Sequence, residues 1–185
     1  TAVGHSANLD GASQGTLTLA GNYRASNGSV TVLSGTIANT GTFTVDAPSS
    51  LTDLKFASGT QLTGAGSLVL TTNSRVWGAS NSGTEVLTNV NNTISGTGLI
   101  GIGNGFSFVN GGTVVANQSS ALTMSLSTLP ALTTSLLNQA SGVLRGTGTG
   151  GLGGAYVQPG VSGVMSPGPG GSGIAGGTGG NPGNN

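Results

Sequence analysis

The chain has no cysteine and very little charge. Among 185 residues it has four basic and four acidic side chains and one histidine, so its formal net charge is zero. Disulfide bonds and cysteine-based metal or redox sites are therefore excluded by count. An average soluble domain is about 25% charged, whereas this chain is 4% charged. Four cations are too few for binding driven by phosphate neutralisation, and the sequence predicts no nucleic-acid partner.

Long hydrophobic runs are missing as well. Uninterrupted aliphatic stretches reach three or four residues, as in Leu68-Val69-Leu70, whereas a membrane-spanning helix needs about 20 apolar residues. The sequence therefore predicts no membrane insertion. Because the net charge is zero, copies of the chain repel one another weakly, and self-association meets little electrostatic resistance.

What the chain does contain is a recurring short alternation of apolar and polar residues. Examples are GTLTLAG, GSVTVLSG and GTFTVDA, each three to six alternating residues bounded by Gly, Asn or Ser. Such segments are typical of β-strands with one face turned inward, and the sequence predicts an all-β fold. The predicted inward residues, which would form the core and stack between coils, are Leu17, Leu19, Val30, Val32, Phe43, Val45, Leu68, Leu70, Ile94, Phe106, Phe108 and Val114.

The connectors between these segments favour a solenoid over a sandwich or barrel. They are rich in Asn and Gly, which tolerate the positive φ of sharp bends, as in Asn27-Gly28 and Asn104-Gly105. If a coil takes roughly 20 residues, residues 15 to 145 would form six or seven coils. Stacked corner asparagines, with Asn110 and Asn117 as candidates, are expected to form side-chain ladders between coils.

Composition divides the chain into three parts. Residues 1–14 are predicted to be an N-terminal capping or inter-subunit segment, 15–161 the β-solenoid, and 162–185 a Gly/Pro-rich low-complexity tail. The tail is either a solvated linker or a strand that lies against a neighbouring copy. Between residues 119 and 140 the leucine spacing fits a short helix capped by Ser127, with Pro130 in its first turn. The alternative is two further strands with Pro130 at a corner.

Side chains that could carry chemistry are sparse. On an extended segment Asp53 and Lys55 would share a face and form one surface ion pair. Arg24 follows Tyr23 and Arg75 precedes Trp77, so each guanidinium could contact an aromatic ring. The candidate ligand-contacting aromatic residues, in a small sugar-binding patch, are Tyr23, Trp77 and Tyr156. No catalytic, cofactor-binding or metal-binding residue is predicted, and an enzyme is not expected.

Two longer stretches resemble known repeats. Residues 92–124, NTISGTGLIGIGNGFSFVNGGTVVANQSSALTM, resemble the repeats of large bacterial surface β-solenoids, namely autotransporter passenger domains and filamentous-haemagglutinin-like adhesins. Residues 143–173 are similar to a further passenger repeat with a Gly-x-Gly-Thr, Pro-Gly and Ser-Pro-Gly core. The resemblance implies a right-handed parallel β-helix, secretion and an extracellular place at the bacterial cell surface. The chain would be either a fragment of a long passenger or a short solenoid that works alone.

Three functions are compatible with these features. The first is a structural or adhesive solenoid subunit that stacks head to tail with copies of itself into a cell-surface or matrix filament. The second is a monomeric adhesin, a passenger fragment, that binds a glycan or a host surface. The third is an ice-binding protein, because such proteins present a flat, uncharged, Thr-rich solenoid face. Thr-x-Thr pairs occur at Thr16/Thr18, Thr42/Thr44 and Thr147/Thr149, but at irregular intervals, whereas a flat array needs one pair per coil.

Overall fold

The structure, a computed structural model, describes residues 2–126 and 134–148 and two short strands at 152–153 and 166–167. Parallel strands wind through about five turns of a β-solenoid, and the described residues contain no helix. The all-β solenoid prediction is therefore confirmed. The strands are β1 (Ser6–Gly11), β2 (Leu17–Leu19), β3 (Asn22–Ala25), β4 (Val30–Asn39), β5 (Thr42–Val45), β6 (Thr52–Phe56), β7 (Thr60–Thr63), β8 (Ser67–Leu70), β9 (Ser74–Gly78), β10 (Val86–Asn89), β11 (Thr93–Gly96), β12 (Gly98–Ile100), β13 (Ser107–Asn110), β14 (Thr113–Ala116), β15 (Leu122–Met124), β16 (Leu136–Asn138), β17 (Val143–Gly146), β18 (Leu152–Gly153) and β19 (Ser166–Pro167).

The strands stack into three faces. Face 1 consists of β1, the first half of β4, β6, β9, β12, β15 and β18; face 2 of β2, the second half of β4, β7, β10, β13 and β16; face 3 of β3, β5, β8, β11, β14, β17 and β19. All strand pairings of the described residues are parallel, as the return of each coil to the same face requires. The right-handed coiling implied by the resemblance stays a prediction.

The coils are longer than the roughly 20 residues expected. Register partners lie 20 residues apart where Asn22 pairs with Thr42, and 30 residues apart where Thr113 pairs with Val143. Between residues 15 and 145, faces 2 and 3 each contain six stacked strands, the lower of the expected six or seven coils, and these strands span about five turns. The extra residues lie in connectors such as the segment between β9 and β10, because a corner loop can lengthen without disturbing the strand pairing.

The first strand lies further towards the N-terminus than expected. β1 falls within the predicted N-terminal segment 1–14, yet it pairs with β4 over six residues and belongs to the first coil. At the other end, β15 and β16 lie within the ambiguous segment 119–140. The alternatives that involve Ser127 and Pro130 lie outside the described residues.

The longest strand turns the corner between faces 1 and 2 without a break. Gly35 has a φ of +66°, and a Cβ added to it would lie 2.4 Å from the carbonyl carbon of Gly11 in the first coil. Only glycine combines this left-handed conformation with so close a backbone approach. Two glycines stacked at the corner thus allow β4 to contribute to both faces.

A single column of apolar side chains fills the interior. The predicted core residues that are buried are Phe43, Val45, Leu68, Leu70, Ile94, Phe106, Phe108 and Val114. Leu17 and Leu19 are half-buried, because they belong to the first coil and pack against the core from one side only. Phe56 and Phe106 meet edge to face with ring centroids 4.9 Å apart, which joins non-consecutive coils.

The predicted orientation of the first half of β4 is wrong. Val30 and Val32 lie on the outer side, and the inward residues are Thr31 and Leu33, which are 0% and 1% exposed. In the run Val-Thr-Val-Leu, an alternating strand can place either the two valines or Thr31 and Leu33 inward. The structure selects leucine because buried Thr31 shares a hydrogen bond of 3.1 Å with the hydroxyl of Tyr23. A buried threonine is tolerated when its hydroxyl is bonded.

Buried asparagines form a ladder along the corner between faces 2 and 3. The Asn89 side chain donates to Asn110 Oδ1 at 2.9 Å, and the Asn110 side chain donates to Asn138 Oδ1 at 2.8 Å. The ladder continues from Asn89 to the earlier coils. The Asn92 backbone N–H donates to Asn89 Oδ1 at 3.0 Å, and the side chain of Asn39, at the end of β4, donates to Asn92 Oδ1 at 3.0 Å. Asn110 thus occupies the position in an amide ladder that was expected of it.

Asn117 does not take part in this ladder. It is exposed at the corner after β14, and its Oδ1 accepts only a 3.3 Å hydrogen bond from the neighbouring Gln118 side chain. Since Ala116 pairs with Gly96 below and Gly146 above, the residues next to Asn117 in the stack are Thr97 and Thr147. No asparagine lies there to continue a ladder, and this part of the prediction is wrong.

Truncation of a core ring should be costly. Phe106→Ala removes a fully buried side chain, so we expect a loss of about 3–5 kcal/mol in the free energy of unfolding. Chemical denaturation followed by circular dichroism measures this loss. Leu137→Ala is the control, because that side chain is 50% exposed and its loss should change the stability by less than about 0.5 kcal/mol. Equal effects of the two substitutions would contradict the packing described.

The amide ladder gives a second test. Asn110→Ala leaves the Asn89 donor and the Asn138 acceptor unpaired in the interior, and we expect a cost of about 1–3 kcal/mol. Asn117→Ala is the matched control, with no measurable change expected, because its side chain is exposed. Thermal unfolding of both variants distinguishes them, and a larger loss for Asn117→Ala would refute the ladder.

Candidate functional site

Charged and aromatic side chains come together on the outer side of face 1. Strands β6 and β9 pair so that Asp53 lies opposite Arg75 and Lys55 lies opposite Trp77. The intervening Leu54 on β6 and Val76 on β9 point into the core, so the alternation of the strands places the four side chains on the outer side. We call Asp53, Lys55, Arg75 and Trp77 the face-1 patch.

The carboxylate and the guanidinium of the face-1 patch form a bidentate pair. Arg75 Nε donates to Asp53 Oδ1 at 2.6 Å, and Arg75 Nη2 donates to Asp53 Oδ2 at 2.8 Å. The predicted Asp53–Lys55 ion pair is wrong. Residues directly opposite on neighbouring strands are about 4.8 Å apart, whereas residues i and i+2 of one strand are roughly 6.6 Å apart. Asp53 therefore bonds across the coils to Arg75.

Lysine and tryptophan form the other half of the patch. Lys55 Nζ lies 4.1 Å from the centroid of the Trp77 ring, and Arg75 Cζ lies 5.9 Å from the same centroid. Both distances fall within the range of cation–π attraction, about 6 Å. The expected guanidinium contact to Trp77 is thus present at the outer limit of that range, with the stronger contact made by Lys55.

A shallow groove runs beside the patch along the solenoid axis. Its volume is about 290 Å³, and Arg75 forms one of its walls. In the register of face 1, Arg75, Leu99 and Thr123 follow one another on successive coils. Leu51, which is 54% exposed, lies at its rim. The groove therefore combines two leucines, one guanidinium and several hydroxyl groups.

Tyr23 is part of the core of the first coil and not a surface contact. Its ring meets Phe43 edge to face with centroids 4.6 Å apart, and its hydroxyl bonds to Thr31. The predicted role of Tyr23 in ligand contact is therefore wrong, because the ring points inward. Arg24 lies on the outer side and donates to Asp46 Oδ2, at 3.0 Å from Nε. Tyr156, the third candidate, lies outside the described residues.

The structure also contains a buried carboxylate that the sequence did not reveal. Glu85 is 1% exposed at the end of the loop between β9 and β10. Ser80 donates to it through its backbone N–H at 2.8 Å and through its hydroxyl, and the Ser82 hydroxyl donates at 3.2 Å. The side chain lies against Gly78, where an added Cβ would be 2.6 Å from the Glu85 carboxyl carbon. In the sequence, the two serines close to Glu85 in the segment SNSGTE are the only feature that points to this hydrogen-bonded carboxylate.

These hydrogen bonds control the pKa of Glu85. Burial of the carboxyl group raises its pKa, but the hydrogen bonds from Ser80, Ser82 and the backbone outweigh this effect. They lower the pKa of Glu85 from 4.5 to about 2. The carboxylate is therefore ionised at neutral pH and organises the loop around it.

The outer side of face 3 is uncharged over four coils. Thr42, Ser67, Thr93 and Thr113 are in register on successive strands and form one column of hydroxyl groups. The Thr-x-Thr pairs seen in the sequence do not form a single array, because Thr18 lies on β2 in face 2 and Thr42 on β5 in face 3. The regular column arises from alignment of coils that the sequence spacing conceals.

The first coil presents a free edge. In the part of the chain that the structure describes, β1 and β2 pair only with β4, and β3 pairs only with β5. The backbone oxygens of Gly21 and Ala25 accept hydrogen bonds from the next coil. Because successive peptide groups of a strand point to opposite sides, the backbone N–H of Asn22 points away from the next coil.

Comparison with models of known families, with curated proteins and with solved structures finds no match. The β-solenoid that the resemblance implied is present, and membership of the bacterial surface family stays a prediction. Across residues 2–126 and 134–148, no three His, Cys, Asp or Glu side chains lie close enough together to hold a metal ion. The same residues include no helix long and apolar enough to cross a membrane.

The lowered pKa of Glu85 predicts a loss of stability in acid. The pKa of Glu85 is lower in the folded chain than in the unfolded chain, so the ionised carboxylate stabilises the fold. This stabilisation is complete above the ordinary pKa of 4.5 and is lost as the pH falls through about 2. Glu85→Gln should remove this part of the pH dependence. Melting temperatures of both proteins between pH 6 and pH 2 provide the test, and parallel curves would contradict it. Gln14→Ala is the control, because it changes an exposed side chain that does not titrate and leaves the Glu85 hydrogen bonds intact.

Proposed function

We propose that the protein is a non-enzymatic, extracellular structural solenoid that stacks head to tail with copies of itself into a filament. The observation that carries this proposal is that β1, β2 and β3 each have a partner strand on one side only among the described residues. Unpaired strand edges offer rows of donors and acceptors to another chain. A contact between unlike ends does not close on itself, and repetition of that contact makes a filament.

The interior of the first coil supports the same proposal. Leu9, Leu17, Leu19 and Tyr23 pack against the core from above and are only half-buried. Their remaining apolar surface would be covered if a second solenoid continued the stack, which is the main favourable term in such an association. A continued stack would therefore give the backbone groups hydrogen-bond partners and bury the apolar side chains at the same time.

The first coil also lacks the usual protection of an exposed edge. Residues 2–28 contain no proline, and proline or an unpaired charge is what commonly blocks edge pairing. The two charged side chains of the first coil's strands, Asp10 and Arg24, are already bonded. Asp10 accepts from Ser34 at 3.0 Å, and Arg24 pairs with Asp46. Neither charge is directed against an approaching strand.

A monomeric adhesin that binds a glycan or a host surface is the second candidate. The face-1 patch and its groove favour it, because they bring together two of the four cations and the single tryptophan of the chain. Location at a bacterial surface rests on the sequence resemblance in both cases. An ice-binding role is the third candidate, and the hydroxyl column of face 3 is the observation that favours it.

Blocking the free edge should prevent filament formation. Asn22→Pro removes an N–H that points away from the next coil, so the fold should persist while stacking is lost. Asn22→Ala keeps that N–H and is the matched control. Electron microscopy of the full chain over a range of concentrations should show filaments one solenoid wide for the wild type and for Asn22→Ala. Asn22→Pro should give short rods with an unchanged circular dichroism spectrum.

Two results would contradict the proposal. If the wild type forms only short monodisperse rods at every concentration, end-to-end stacking is not its function and the adhesin alternative leads. If Asn22→Pro forms filaments as readily as the control, the stack does not use the free edge of the first coil.

A further inference from the structure

Charge on this protein is concentrated at one place. Three of its eight charged side chains, Asp53, Lys55 and Arg75, and its single tryptophan occupy four adjoining positions of face 1. Two cations and one carboxylate leave this patch with one positive charge. The outer side of face 3, by comparison, carries no charge on β5, β8, β11 or β14. The face-1 patch is thus the one strong electrostatic feature on the middle coils.

The uncompensated charge belongs to Lys55. The ion pairs of the described residues join Arg24 to Asp46 and Arg75 to Asp53. Lys55 Nζ lies over the ring of Trp77 and takes part in neither of these ion pairs, and an ammonium held over an aromatic face keeps its N–H donors available to an incoming acceptor. Asp53 accepts a bidentate bond from Arg75, and no ion pair among the described residues joins this carboxylate to Lys55.

The neighbouring groove adds a neutral surface to this cation. Leu51 and Leu99 supply apolar walls, and Thr72 and Thr123 supply hydroxyl groups. A volume of about 290 Å³ has room for a monosaccharide-sized unit. The groove also follows the stacking direction, with Arg75, Leu99 and Thr123 about 4.8 Å apart from coil to coil. An extended chain of similar units could therefore follow face 1.

We propose that the face-1 patch and groove bind an acidic polysaccharide, with a sugar carboxylate at Lys55 and a sugar ring between Trp77 and the groove. A carboxylate complements the one free positive charge, an aromatic ring packs against the C–H face of a sugar, and threonine hydroxyls bond to sugar hydroxyls. This inference deepens the adhesin alternative and does not depend on head-to-tail stacking.

The test is titration calorimetry of the full chain with polygalacturonate, a polymer of a carboxylate-bearing sugar. The matched ligand is its methyl ester, which has the same backbone without the charge. We expect binding to polygalacturonate that weakens as salt is added, and at least tenfold weaker binding to the ester. Equal binding of the acid and the ester, or no binding of the acid, would overturn the proposal.

Substitutions locate the site. Lys55→Met removes the charge but keeps an unbranched side chain over Trp77, and it should weaken binding at least tenfold, as should Trp77→Ala. Arg145→Met is the control, because Arg145 is an exposed cation on β17 of face 3, and its binding should equal that of the wild type. If Trp77→Ala does not fold, Lys55→Met decides alone. Unchanged binding by Lys55→Met would overturn the proposal.

Two further measurements separate related outcomes. Dextran sulfate carries sulfate groups in place of carboxylates, and tighter binding to it that Lys55→Met abolishes would overturn the assignment of a carboxylate. Asn22→Pro, the variant designed to block stacking, should bind polygalacturonate as the wild type does. Binding lost in that variant would mean that the site forms only between stacked copies, contrary to the proposal.

Discussion

Each coil of this solenoid is held by parallel backbone hydrogen bonds to the coil above and the coil below, and this pairing dictates what surrounds every side chain. An inward residue such as Ile94 packs between Leu68 and Val114, its partners in register. An outward residue such as Arg75 meets Asp53 in the same way. Core, corner and surface are therefore all arranged in columns about 4.8 Å apart. Any long-range feature of the molecule is such a column.

The corners are where this arrangement requires polar side chains in the interior. A chain that turns three times per coil leaves backbone groups that cannot all pair with another strand, and buried polar groups must find partners. Asn89, Asn92 and Asn110 meet this requirement by bonding both to one another and to turn carbonyls. Glu85 solves the same problem with a carboxylate that holds a loop through its serines. The interior is thus apolar along the faces and hydrogen-bonded along the corners.

The scarcity of charge gives the few charged residues their importance. Two of the four cations are used in ion pairs between coils, where they meet Asp46 and Asp53. The outer side of face 3 carries no charge on β5, β8, β11 or β14, while the first coil has a partner strand on one side only and its apolar side chains are half-buried. Such a molecule has two kinds of surface on which to meet a partner, the edge that can be extended and the patch around Trp77. The proposals for assembly and for polysaccharide binding rest on these separate surfaces.

The sequence by itself determined the all-β solenoid, the inward direction of most apolar residues and the asparagine at one corner, because alternation and turn residues are local properties. It did not determine the direction of Val30, since an apolar run can be counted in two phases and only the bonding of Thr31 selects one. The length of each coil could not be predicted from the sequence either, because the loops vary in length while the strands stay in register. Only the tertiary structure decided which side chains meet across coils. Asp53 and Arg75, 22 residues apart, are neighbours only when the coils are stacked in register.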